Sequence, residues 1–131
     1  PQFVKDCHAY YKTPRGYHKR SLNSNKGWAA SAGTSLMNTK LLAYADEIRN
    51  PVLIIHGEKA HSRYFGEGAF EKMTGKKANV PAKLDATKNW SKTVGNKELL
   101  VIPGASHVDL YDNLEKIPFE KLNDFFKTNL K

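Results

Sequence analysis

The sequence predicts an α/β fold, and three observations carry that expectation. Residues 51–57, Pro-Val-Leu-Ile-Ile-His-Gly, make an unbroken apolar and β-branched run that closes on a glycine. Residues 98–104, Glu-Leu-Leu-Val-Ile-Pro-Gly, repeat the design. Unbroken runs, unlike alternating ones, mark strands covered on both faces, as in parallel sheets flanked by helices. Between and around them, apolar residues recur at helical spacing. Two like strands joined by a helical crossover imply a parallel pair, normally right-handed.

The elements follow in order. Residues 3–12 place Phe3, Cys7, Tyr10 and Tyr11 near one helical face. Thr13-Pro14-Arg15-Gly16 ends that helix, because a proline disfavours helical geometry in the residue before it. Residues 17–33 are rich in Ser, Asn and Gly and read as loop, with Trp28 as an anchor. Residues 34–48 regain helical character through Leu36, Leu41, Leu42, Ala45 and Ile48, with Thr34 or Ser35 as cap. After the first strand, residues 67–74 read as a helix stopped by Gly75. A further helix is expected from Pro81 to near Gly95, burying Leu84, Trp90 and Val94. After the second strand, Pro118 opens a last helix with Phe119, Leu122, Phe126 and Leu130 on one face, widened by Phe125.

Composition narrows the function classes. The chain has 131 residues, 40% of them hydrophobic, which fits one domain with a modest core. No apolar run approaches the roughly 20 residues of a membrane span. The single cysteine, Cys7, excludes an internal disulfide and reads as a small apolar residue. With no visible leader, these features suggest a cytoplasmic protein, although a chain starting at Pro1 is expected to lack its original beginning. The net charge of +8 raises the question of polyanions. The lysines are scattered, however, and the densest group (Lys12, Arg15, Lys19 and Arg20) sits in a Gly/Pro-punctuated stretch without a nucleic-acid motif. It reads as solvated surface, so neither nucleic acid nor membrane is expected as a partner.

A parallel pair leaves backbone groups unpaired and apolar faces uncovered. The sequence therefore predicts further strands from an absent N-terminal segment, a second copy, or a partner. The second strand leads into Pro103-Gly-Ala-Ser-His107-Val-Asp-Leu-Tyr-Asp112. A histidine just past the C-terminal end of a parallel strand stands where α/β folds place their sites. Imidazole, with a pKa of about 6.5, takes and returns a proton near neutral pH.

These residues resemble a known family. Pro51-Val-Leu-Ile-Ile-His-Gly-Glu58, then Glu98-Leu-Leu-Val-Ile-Pro-Gly-Ala-Ser-His107, is similar to the last two core strands of an α/β-hydrolase. Tyr10-Tyr-Lys-Thr-Pro-Arg-Gly-Tyr17 and His107-Val-Asp-Leu-Tyr-Asp112 resemble the dienelactone-hydrolase-like branch. The resemblance implies that the chain is the C-terminal part of such a fold. Residues 1–48 would then be a cap or connecting region, and 49–131 the last two parallel strands with their flanking helices.

It further implies a serine-type hydrolase of esters, lactones or related acyl bonds, acting on a small-molecule substrate without a cofactor. His107 is the implied base. The nucleophile is expected on a missing N-terminal segment, because no serine here lies in a Gly-x-Ser-x-Gly elbow. The chain alone is then catalytically incomplete. The family's usual acid position, three residues past the strand-ending glycine, holds Ala60. Glu58 is the nearest carboxylate and the candidate acid, with Glu67 and Asp85 more distant. Asp109 is expected to order its own loop.

Other residues weigh less. His56 and His61 with His107 lack the tight ligand pairs of zinc sites, so no metal is expected. Tyr10, Tyr11, Tyr17 and Trp28 either line a pocket or hold a loop-rich segment on the core. Ser62, Arg63 and Tyr64 border the same strand end. The alternative to an enzyme is a non-catalytic remnant or self-associating module that pairs through its open sheet edge. A basic module binding polyanions is a weaker third reading.

Overall fold

Both apolar runs are strands in the computed structural model, which describes residues 1–20 and 30–130. Strand β1 spans Val52–Gly57. Strand β2 spans Trp90–Val94 and strand β3 spans Lys97–Ile102. β1 and β3 are parallel, with Val52 opposite Lys97 and Gly57 opposite Ile102. β2 pairs antiparallel with β3, giving the order β1-β3-β2. The fold is therefore α/β with a small mixed sheet.

β2 corrects the helix expected from Pro81 to Gly95. Trp90, Lys92 and Val94 are half-buried while Ser91 and Thr93 are exposed, which is the two-residue period of a strand. Gly95, at φ 59°, opens a two-residue hairpin turn with Asn96. Glycine takes that first position without steric cost.

The core lies on both faces of β3, the central strand. Leu99 and Val101 pack with Phe70, Ala78 and Leu84 on one face. Leu100 and Ile102 pack with Ala105 on the other. Burying each of the Leu, Ile, Val and Phe side chains contributes roughly 1.5–3 kcal/mol. β1, expected to be covered on both faces, is only half-buried from Val52 to His56. It is an edge strand, with β3 as its single partner among the described residues.

The helices agree in part. α1 spans Gln2–Tyr11 and is followed by a 3-10 turn at Pro14–Gly16. α2, Ala30–Asn38, starts before the expected helix of residues 34–48 and stops well short of its end. Asn38 and Thr39 side chains bond back to the carbonyls of Thr34 and Ser35, offering the chain an alternative to further helix. Leu41, Leu42 and Ile48 are consequently exposed, and Thr34 and Ser35 lie inside α2 rather than capping it. α3, Arg63–Thr74, begins four residues earlier than expected and ends at Gly75, whose φ is 66°. α4 is a single turn at Asp109–Asp112. α5, Phe119–Asn129, follows Pro118. Its Leu122 and Phe125 are half-buried, but Phe119, Phe126 and Leu130 are exposed. Trp28 lies outside the described residues. No described helix is long and apolar enough to cross a membrane.

Candidate active site

The parallel strands β1 and β3 end side by side, and the loops leaving them build the site. Past β3, Pro103-Gly104 makes a tight turn with Gly104 at φ 68° and Ala105 N–H donating to Ile102 O. Past β1, Glu58 N–H donates to Ile102 O and Lys59 N–H to Ala105 O, both at 2.9 Å. The two loops are thus zipped together. Gly57 permits this approach: a Cβ there would stand 2.3 Å from Ala105 O and 2.7 Å from Ser106 O.

That zipper presents His107. Its Nδ1 lies 2.8 Å from Ser62 Oγ, and its Nε2 lies 2.7 Å from Tyr111 Oη. Ser62 precedes α3 and Tyr111 sits on α4, so three elements converge on one ring. Burial pushes the His107 imidazole below its ordinary pKa, and the nearby charge of His61 acts in the same direction. The ring is therefore neutral at pH 7. The Tyr111 hydroxyl is pushed up to about 12, first by burial and then by its bond to Tyr11. It stays protonated across the physiological range.

Glu58, the candidate acid, is placed elsewhere. Its carboxylate accepts from Gly104 N–H at 2.8 Å and Leu84 N–H at 3.2 Å. These bonds hold its pKa below the usual carboxylate range, with Gly104 the larger cause. Both oxygens are engaged, so the structure does not bring Glu58 to His107; its carboxylate ties Gly104 and Leu84 to the end of β1. The distant alternatives are engaged too. Glu67 pairs with Arg63 at 2.7 Å, and Asp85 accepts from Thr87. Asp109 accepts from Ser106 N–H at 2.7 Å and so orders the His107 loop, as its spacing suggested.

The N-terminal segment covers the site from one side. Arg15 makes a bidentate pair with Asp112, both bonds 2.6 Å, and Tyr10 packs edge-on against Tyr111. Phe3 lies against His61, with ring centroids 4.1 Å apart. A cavity of about 130 Å³ opens beside His107, walled by Gln2, Phe3, Asp6 and Cys7 of α1 and by Lys59, His61 and Ser106. Tyr10, Tyr11 and Tyr17 are absent from its wall; Tyr10 packs on Tyr111, and Tyr11 and Tyr17 are exposed. His56 is not on the cavity wall; its ring lies over Gly66, where a Cβ would come within 2.4 Å of its Nε2. Among the described residues, no three His, Cys, Asp or Glu side chains gather as a metal site.

Two contacts of His107 were not readable in advance. Ser62 lay in a loop already noted at the strand end, with no spacing that singled it out. Tyr111 lies four residues past His107, a helical offset that signals contact only once α4 is known to be helical.

No protein-family model matches the chain. The chain is 45% identical over 130 residues to uncharacterized protein PA2218 of Pseudomonas aeruginosa, covering 98% of this chain and 30% of that protein. It is also similar to the crystal structure of hypothetical protein PA2218, with a TM-score of 0.76 at 44% identity, over 99% of this chain and 35% of that one. The chain therefore corresponds to about 30% of the length of the curated relative it matches.

Proposed function

We propose that this chain is the base-bearing C-terminal part of an α/β-hydrolase of the dienelactone-hydrolase-like branch, cleaving an ester, lactone or related acyl bond. One observation carries the reading. His107 is mounted on the loop beyond a parallel strand, held at both ring nitrogens by hydroxyls, and faces a small cavity. A rigidly held, neutral imidazole beside a cavity suits general-base work.

In the reaction, a serine supplied by another polypeptide segment attacks the acyl carbon while its proton passes to His107. The proton then goes to the departing alkoxide. Water next gives a proton to His107 as its oxygen attacks the acyl-serine, and His107 returns that proton to the serine. The incoming serine hydroxyl takes the place beside Nε2 that Tyr111 Oη now fills. The cavity is comparable to an apolar void of about 150 Å³ that holds benzene, so a small acyl or aryl group fits it.

The test pairs this chain with the product of its source gene, whose intact mass is measured first. Both are assayed on p-nitrophenyl acetate, butyrate and dodecanoate. The source product is expected to cleave the short esters, and His107→Ala to lower kcat about 1,000-fold or more. Activity that ignores His107→Ala sinks the hydrolase reading. A second reading rests on β1, whose outer edge has no strand partner among the described residues. An inert source product that dimerises through that edge is a self-associating module.

A further inference from the structure

We infer that Ser62 is the positioning residue of His107, a neutral hydroxyl standing where hydrolases of this type place a carboxylate. The inference rests on the reading of His107 as a base and adds the group that sets its tautomer.

The argument starts from carboxylates. A triad acid works by accepting from Nδ1–H, which fixes the tautomer and leaves Nε2 free to accept a proton. Here no carboxylate among the described residues bonds the ring. Glu58 is held by the backbone of Gly104 and Leu84, and Asp109 by Ser106 N–H. Glu67 is held by Arg63, and Asp112 by Arg15. Asp6, which reaches the cavity wall, accepts from Gln2 Nε2 at 2.7 Å. The group at Nδ1 is Ser62 Oγ, 2.8 Å away and partly buried.

Ser62 also forgoes its ordinary local role. It occupies the N-cap of α3, where serine is favoured because its hydroxyl caps a free backbone N–H. Its side chain makes no cap bond there and turns to His107 instead. On the opposite nitrogen, Tyr111 Oη lies 2.7 Å from Nε2. Either tautomer satisfies both contacts; a base needs the one with Nδ1–H donating to Ser62 and Nε2 accepting from Tyr111, and the reading of His107 as a base selects it.

A hydroxyl partner has a consequence that a carboxylate lacks. It orients the ring without stabilising an imidazolium, so His107 stays a weaker base. Of the charged and titratable groups around the ring, Asp6 on the cavity wall is the anion, and its carboxylate accepts from Gln2 rather than from the ring. His61 and His56 are cationic when protonated, Lys59 is cationic, and Asp6, Cys7 and Tyr111 complete the surroundings.

The test is ¹⁵N NMR of the imidazoles in the full 131-residue chain, with amide spectra to confirm the fold. Wild type is expected to show His107 protonated at Nδ1. Ser62→Ala should shift the neutral ring toward Nε2–H, and Ser62→Thr should restore the wild-type pattern. Ser62→Asp should keep Nδ1–H and raise the His107 pKa by about one to three units, as an opposite charge at that distance does. In the active source product, Ser62→Ala should lower kcat with little change in KM, and Ser62→Asp should move the acid limb of the pH profile upward.

An Nε2–H tautomer in wild type, or a tautomer that ignores Ser62→Ala in a folded chain, overturns the inference. The outcome is separable from the hydrolase reading. If Ser62 governs the tautomer while ester cleavage ignores His107→Ala, the positioning role stands and the hydrolase reading falls.

Discussion

Glu58 lies one residue past β1, and its carboxylate binds two backbone N–H groups from two other segments. Charge-assisted bonds of that kind are stronger than neutral ones. Glu58→Gln is expected to cost about 1–2 kcal/mol at pH 7, read by urea unfolding. Because its folded pKa is lowered, Glu58's contribution is complete above its unfolded value of about 4.3 and is lost as pH falls through the folded one. The wild-type and Glu58→Gln curves should therefore converge below about pH 4. A gap that stays constant to pH 3 rejects that tie. An earlier decline belongs to histidines. Burial lowers both His56 and His107, so their neutral forms favour folding fully above about pH 6.5 and progressively less below it. Stability should fall between pH 7 and 5 in wild type and in Glu58→Gln alike. A flat profile there would show that neither ring is held neutral by the fold.

At the scale of elements, Gly57 decides whether the two strand-end loops can meet. A Cβ would press on the Ala105 carbonyl and the Ser106 oxygen, both backbone atoms that a rotamer change cannot move. Gly57→Ala is expected to cost about 1–3 kcal/mol by overpacking. It should also perturb the amides of residues 105–108 and detach His107 from Ser62. An amide spectrum changed only at residues 56–58 would contradict this. The same elements show what was legible beforehand. β1, β3 and the Gly104 turn were readable because burial demands apolar runs and the turn demands positive φ. β2 was not, because Trp90, Leu84 and Val94 also fit a helical spacing, and Gly95 serves a hairpin as well as a helix end. α2 was misjudged because side chains of Asn38 and Thr39 compete locally with the helix. His107 was legible from its place past a strand. Its partners were not, because Ser62 and Tyr111 reach it from two other elements and the sequence does not encode that convergence in any spacing.

For the whole molecule, the unresolved physical problem is the sheet edge. In a parallel ladder, alternate residues of β1 turn their N–H and C=O groups toward β3 and away from it. Val52 and Glu58 donate to Asn96 and Ile102, so Leu53 and Ile55, at the odd positions between, present theirs outward. These residues also belong to the face of Leu100 and Ile102. An apolar edge of that kind recruits another strand. The 131-residue chain is expected to rise in mass with concentration from about 5 to 200 µM in sedimentation. Leu53→Pro removes one outward N–H without touching a bond to β3, and should weaken that association more than it weakens the fold. A monomer at every concentration, binding no hydrophobic dye, would mean the edge is already protected. If association is seen and a separately expressed upstream segment of the source product suppresses it, the edge belongs to a larger sheet. If no such segment competes, the partner is a second copy.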